Sequence, residues 1–168
     1  MQILLPLEIK KRLTAELKRA GRREIGGLLL GEHIGGDTFK IVEITVQTEL
    51  GTASHFERDP AAHQKQLDDF FARTRNNCSR FNYFGEWHSH PSFVPVPSST
   101  DIQSMDSILN DSTVGVNFLV LLIVQLVQRD SLAMSATVCK RDTHPISSTI
   151  FIETELTQVV ARRRIRTL

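Results

Sequence analysis

The sequence predicts a mixed α/β domain in which a largely antiparallel sheet is flanked by helices. Three observations carry this. Leu7, Ile9, Leu13 and Leu17 fall near helical spacing, and Leu67, Phe70 and Phe71 form a second apolar face. Several short stretches are rich in β-branched or aromatic residues and either alternate or run apolar, as strands do. The 168 residues, 40% hydrophobic and 23% charged, suit one domain spanning residues 1–168, large enough to bury a core without disulfides.

Taken in order, residues 7 to 20 (LEIKKRLTAELKRA) read as an amphipathic helix ending near Gly21. Ile25 to Leu30 is short and apolar, a buried strand. Thr38 to Gln47 alternates, so it is a strand joined to the previous one as a hairpin through Gly35-Gly36-Asp37. Leu50 to Asp59 has no period and reads as a loop. Pro60 to Arg75 is a second helix, with Pro60 suited to its first turn. Phe81 to His90 (FNYFGEWHSH) reads as a strand, and the three prolines between Pro91 and Pro97 make that stretch irregular. Ser99 to Leu109 is a helix. Phe118 to Leu126 and Leu132 to Cys139 are strands joined by a tight turn at Arg129-Asp130. Ile150-Phe151-Ile152 is a last short strand, and Glu153 to Arg164 forms a basic C-terminal helix or tail.

Composition removes several function classes. The net charge of +1 gives no general case for a nucleic-acid or membrane partner, apart from the local run Arg162, Arg163, Arg164 and Arg166. Cys78 and Cys139 form no CxxC and suit a reducing cytoplasm. The N-terminus lacks a signal-peptide pattern. The apolar run from Val114 is too short to span a bilayer and is interrupted by Asn117 and Gln125.

The chemistry-bearing stretch is His88-Ser89-His90-Pro91, then Ser98, then Asp101. Alternate strand residues share a face, so His88 and His90 can reach one metal together. Pro91 ends the strand by removing a donor, and Asp101 sits in the first turn of the next helix. Two imidazoles and one carboxylate form a catalytic zinc set with a fourth position left to water, whose pKa zinc lowers to about 7. Taken alone, an HxH pair is more often a surface or core pair, and Ser98-x-x-Asp101 is more often a helix cap.

In combination these residues resemble the zinc-binding signature of the JAMM/MPN metalloproteases: H-S-H-P, six residues, S, two residues, D, without a gap. Arg23-Glu24-Ile25-Gly26-Gly27-Leu28-Leu29-Leu30-Gly31 resembles that family's upstream glutamate and the strand after it. The likeness covers roughly residues 5 to 140 and implies the MPN, cytidine-deaminase-like fold. It implies His88, His90 and Asp101 as zinc ligands. It implies Glu24 as the general base that moves a proton from the attacking water to the leaving amine. Ser98 corresponds to the residue that steadies the oxyanion. Ser89 points to the opposite face and takes a packing or supporting role. Glu86 reads as a solvated strand-end charge more readily than as a residue orienting a ligand. Glu32 is a less favoured base than Glu24. His33, His55, His63 and His144 read as surface or loop residues, and Trp87 as core.

The compact chain is most similar to the bacterial Prok-JAB branch. That likeness implies an isopeptidase cutting after the C-terminus of a ubiquitin-like modifier protein, maturing a precursor or deconjugating targets, with a link to antiphage defence. Activating and conjugating enzymes of the same operon are the implied companions. An extended modifier tail is expected to add beside the strand carrying His88 and His90, with room only for small residues near the metal. Linkage choice is not carried over, because Leu50 to Asp59 is short and no long insertion follows the zinc helix. Glu86-Trp87 stands where many eukaryotic members have two aromatics, which leaves the rim of the site open. Three alternatives remain. A metal-free MPN scaffold would lack ligands that are present here. A hydrolase releasing cysteine from a sulfur-carrier protein would use the same site. A zinc deaminase would need HxE and PCxxC, which are absent.

Overall fold

The structure, a computed structural model, describes residues 1–48, 59–128 and 131–153. Strand β1 (Gln2–Pro6) leads into helix α1 (Leu7–Ala20). Strands β2 (Gly26–Gly35) and β3 (Thr38–Ile44) form a hairpin, followed by α2 (Pro60–Arg73) and β4 (Phe81–Ser89). Helix α3 (Ser99–Asn110) precedes β5 (Leu119–Leu126), β6 (Leu132–Cys139) and β7 (Ile146–Glu153). The fold class is the expected one. β1 falls where the sequence predicts no element, β2 and β7 run longer than Ile25 to Leu30 and Ile150 to Ile152, and β3 stops at Ile44, short of Gln47. The loop Leu50 to Asp59 (save Asp59), the turn at Arg129-Asp130 and the C-terminal helix beyond Glu153 lie outside the described residues.

The sheet closes into a barrel in the order β1-β3-β2-β4-β5-β6-β7. β2–β3, β2–β4, β5–β6 and β6–β7 are antiparallel. β1 pairs in parallel with both β3 and β7, and β4 with β5. β1 is therefore the strand that shuts the barrel. Its short apolar run buries Ile3 and Leu5 completely.

Each helix covers one part of the sheet. Ile9, Leu13 and Leu17 of α1 join Trp87, Val120, Leu122 and Val124 in the main core. Met105 and Leu109 of α3 meet Leu119, Leu121 and Ile123. β5 is thus buried on both faces, which explains its unbroken apolar run. Phe70 of α2 packs on Leu28 and Leu30, with Leu67 and Phe71 beside it. Asp59 caps α2 by accepting from the Ala61 N–H at 2.9 Å. Gly21 ends α1 with φ +64°.

Two glycines make close strand contacts possible. Gly85, at φ +143°, lies against the Val120 backbone, and a Cβ there would run into that carbonyl. Gly27 is packed in the same way against Thr45. Both lie on the β2–β4 pair that carries the site.

Candidate metal centre

The site forms at the C-terminal end of β4, where regular pairing stops. β4 is central: β2 lies on one edge and β5 on the other, with Gly26 opposite His88 and His88 beside Ile123. The expectation that a substrate tail adds along β4 is therefore corrected, since neither edge is free. The last rungs are locked by side chain and backbone together. The Ser89 N–H donates to the Ile25 carbonyl at 2.8 Å, and the Ile25 N–H donates to Ser89 Oγ at 3.0 Å. The His90 N–H donates to the Val124 carbonyl at 2.9 Å. Continuing this register by one residue sets Glu24 beside His90. Glu24 is 4% exposed.

Past Pro91 the chain turns through the proline-rich loop and returns as α3. Ser98 caps that helix: its Oγ accepts from the Asp101 N–H at 3.2 Å, and Asp101 Oδ2 accepts from the Ser98 N–H at 2.7 Å. The capping reading of Ser98-x-x-Asp101 is realised, and the cap fixes the carboxylate and turns it toward the imidazoles. Asp101 Oδ1 lies 3.3 Å from His88 Nε2, and Oδ2 lies 3.9 Å from His90 Nε2. Burial alone would push the Asp101 carboxyl up. Hydrogen bonds from His88 and the Ser98 backbone, with the charge of His88, outweigh it and hold the group well below the usual carboxylate range.

Two features show that these residues fit a metal ion. The two Nε2 atoms face each other at 3.2 Å. His90 Nδ1–H donates to the Val94 carbonyl at 3.2 Å, which leaves the Nε2 lone pair directed at the cluster. Donor atoms of His88, His90 and Asp101 all lie within 4.8 Å of one another. Tetrahedral ligands about 2.0–2.1 Å from zinc stand roughly 3.4 Å apart, which is the scale of the separations found. Glu24, His88, His90, Ser98 and Asp101 share one cavity of about 440 Å³, which Thr100, Ser104 and the apolar Phe93, Val94, Val96 and Pro97 also line.

A family profile described as prokaryotic homologs of the JAB domain matches residues 6–138. The chain belongs to this family. A CD-NTase/cGAS isopeptidase from Enterobacter hormaechei subsp. hoffmannii (strain UCI 50) is 32% identical over 81% of this chain and 74% of its own length. A protein of the same name from Escherichia coli (strain TW11681) is 35% identical over 48% of the chain and 51% of that relative. The 26S proteasome regulatory subunit rpn11 of Schizosaccharomyces pombe is 31% identical over 50% of the chain, but the match covers 26% of that longer protein. A solution structure of a Desulfitobacterium hafniense protein shares the fold, with TM-score 0.68, 22% identity and coverage of 91% and 94% of the two chains.

Of the other residues singled out in the sequence, two fall differently from their reading and the rest that are described fall as read. Glu86 is not a solvated charge. It is 7% exposed, and the Tyr83 hydroxyl donates to its Oε1 at 3.3 Å. His63 is not a surface residue. It is buried on α2, 2.8 Å from Thr45 Oγ1 and 3.2 Å from Gln47 Oε1. Thr45 in turn accepts from the Leu28 N–H and, through its carbonyl, from Trp87 Nε1–H at 2.9 Å. No spacing rule could have found that support. His33 is exposed and stacks on Phe39, His144 is exposed, and Trp87 is core. His55 lies outside the described residues. Glu32 is ion-paired with Arg80, away from the cavity.

Proposed function

We propose that the chain is a zinc-dependent JAMM-type isopeptidase that cuts after the C-terminus of a ubiquitin-like modifier. The observation that carries this is the convergence of His88 Nε2, His90 Nε2 and the Asp101 carboxylate on a cavity that also takes in Glu24. The names of the isopeptidase and proteasome relatives support the same class. When bound, zinc supplies a water nucleophile near neutral pH and polarises the scissile carbonyl.

The remaining steps belong to the chain's own side chains. His88, His90 and Asp101 hold the metal, and the Val94 carbonyl and the Ser98 N–H orient two of these ligands. Glu24 takes a proton from the attacking water and returns it to the leaving amine. The Ser98 hydroxyl, already an acceptor from the Asp101 N–H, keeps its own proton to donate to the developing oxyanion. The leaving amine is a lysine side chain or an α-amine. Activating and conjugating enzymes of one operon, in a cytoplasmic antiphage setting, are the companions this reading implies. Among the described residues no helix is long and apolar enough to cross a membrane.

The test is cleavage of a modifier fusion by zinc-loaded protein, read by mass spectrometry, with unfolded casein in parallel. Cleavage after the terminal glycine with casein left intact is expected. An intact fusion beside efficient casein digestion would mark a general protease.

A further inference from the structure

His63 is a buried histidine that the metal site does not use. It stands in the first turn of α2, and both of its ring nitrogens are engaged. Nδ1 lies 2.8 Å from Thr45 Oγ1, and Nε2 lies 3.2 Å from Gln47 Oε1.

The neighbours fix which nitrogen carries the hydrogen. Gln47 Oε1 accepts the Asp59 N–H at 2.8 Å, so it is the amide oxygen and can only accept. His63 Nε2–H therefore donates to it. Thr45 Oγ1 accepts the Leu28 N–H at 2.7 Å. Its own hydrogen needs an acceptor in this buried place, and His63 Nδ1 is the one it faces. One imidazole, protonated at Nε2, thus orients two side chains with opposite demands.

Those side chains belong to the backbone that flanks the start of β2. Thr45 and Gln47 continue the β3 register past Ile44. The Thr45 N–H donates to the Leu28 carbonyl at 3.1 Å, and the Gln47 N–H donates to the Gly26 carbonyl at 2.7 Å. The Gly26 N–H donates back to the Gln47 carbonyl at 3.4 Å. A Cβ on Gly27 would collide with the Thr45 carbonyl, so a shift of residues 45–47 passes straight to β2. On its other edge β2 meets β4, with Gly26 opposite His88. Glu24 stands two residues before Gly26, in the cavity with His88 and His90. The two flanks together set where its carboxylate lies.

α2 has a separate means of docking, since Phe70 packs on Leu28 and Leu30. Apolar packing is non-directional, whereas the His63 hydrogen bonds demand one geometry. The helix can stay docked when His63 is lost, while residues 45–47 lose their alignment.

We propose that His63 is a positioning residue for the reaction: from α2 it holds Thr45 and Gln47, and through them it sets Glu24 beside the imidazoles. This rests on the isopeptidase proposal, which makes Glu24 the base.

The test compares His63→Leu and His63→Asn with Phe70→Leu in the full chain. Asparagine offers the Thr45 hydroxyl an acceptor again, leucine offers none, and Phe70→Leu weakens α2 by packing alone. Amide hydrogen exchange at Gly26 and Leu28 is followed beside zinc content, and kcat and KM are measured on a glycine-ended modifier fusion. In His63→Leu, exchange at both amides should quicken while zinc stays at the wild-type level. Its kcat should fall about tenfold with KM held, since misplacing a catalytic group acts on turnover. His63→Asn should recover part of both losses. Phe70→Leu should lower the urea midpoint without changing kcat. Wild-type kcat in His63→Leu, or a kcat that follows the urea midpoint alike in all three variants, overturns the inference and leaves the isopeptidase proposal standing. A wild type that cleaves nothing overturns that proposal. Quickened exchange in His63→Leu, slowed again in His63→Asn, then still upholds the hold on β2, and unchanged exchange overturns it as well. Should His63→Leu not fold, His63→Asn is set against Phe70→Leu by the same criteria.

Discussion

Two glutamates stand near opposite ends of β2, and of the two it is Glu24 that lines the cavity holding the imidazoles. Glu24 lies just before the strand, buried, in the cavity with both imidazoles. Glu32 is its seventh residue and is held by Arg80, whose side chain is 60% exposed. The β2–β4 pairing decides between them: Gly26 meets His88 at one end, and Glu32 meets Phe81 at the other. The far end is closed by packed aromatic rings, with Phe39 stacked on Phe84 at 5.3 Å and edge-on to Phe118 at 5.0 Å. The site end is closed by hydrogen bonds to Ser89 and Val124 instead. Packing can tolerate small shifts at the far end. The site end needs fixed donor positions.

Substitutions at the two ends should differ accordingly. The largest effect is expected for His88→Ala and Asp101→Ala, which remove a ligand. Zinc affinity should fall by more than about a hundredfold, with activity lost and the fold kept, as read by metal analysis and circular dichroism. Full zinc retention in both would remove the metal centre. Ser89→Ala comes next. It strips the Ile25 N–H of its buried acceptor, which costs about 1–3 kcal/mol in urea unfolding. It should also loosen Glu24, so turnover should fall while zinc content holds.

At the far end, Cys139 is 1% exposed, and its thiol is pushed from 9.0 to about 11 by burial, with the charge of Asp106 adding to it. The unfolded thiol ionises first as pH rises, so this contribution is whole below pH 9 and is lost between 9 and 11. The stability difference between wild type and Cys139→Val should shrink over that window, and a flat difference would contradict the burial. Arg80→Ala should do least. It removes a largely exposed ion pair worth under about 1 kcal/mol, and neither zinc content nor turnover should move.

The sequence exposed the candidate ligands because their signal is local. Strand alternation pairs His88 with His90, and the cap at Ser98 positions Asp101. Glu24 has no local signal. Its place depends on a pairing across about sixty residues, so only the family likeness pointed to it. The same limit hid β1, whose five residues have meaning only beside β3 and β7, and with it the closure of the barrel. His63 reads as a surface residue because its partners, Thr45 and Gln47, lie in the segment after β3, sixteen to eighteen residues before it in the chain. Glu86 reads as solvated because no spacing rule anticipates the bulge at Phe84, which lets Tyr83 and Glu86 meet on one face.

The most direct measurement sets the two glutamates against each other. Glu24→Gln and Glu32→Gln are prepared in zinc, and metal content and turnover of a glycine-ended modifier fusion are measured side by side. Both should hold about one zinc per chain. Glu24→Gln should lose about a hundredfold or more in turnover, and Glu32→Gln should stay within about twofold of wild type. Near-wild-type turnover in Glu24→Gln beside a dead Glu32→Gln would contradict the assignment of the base and the register on which it stands.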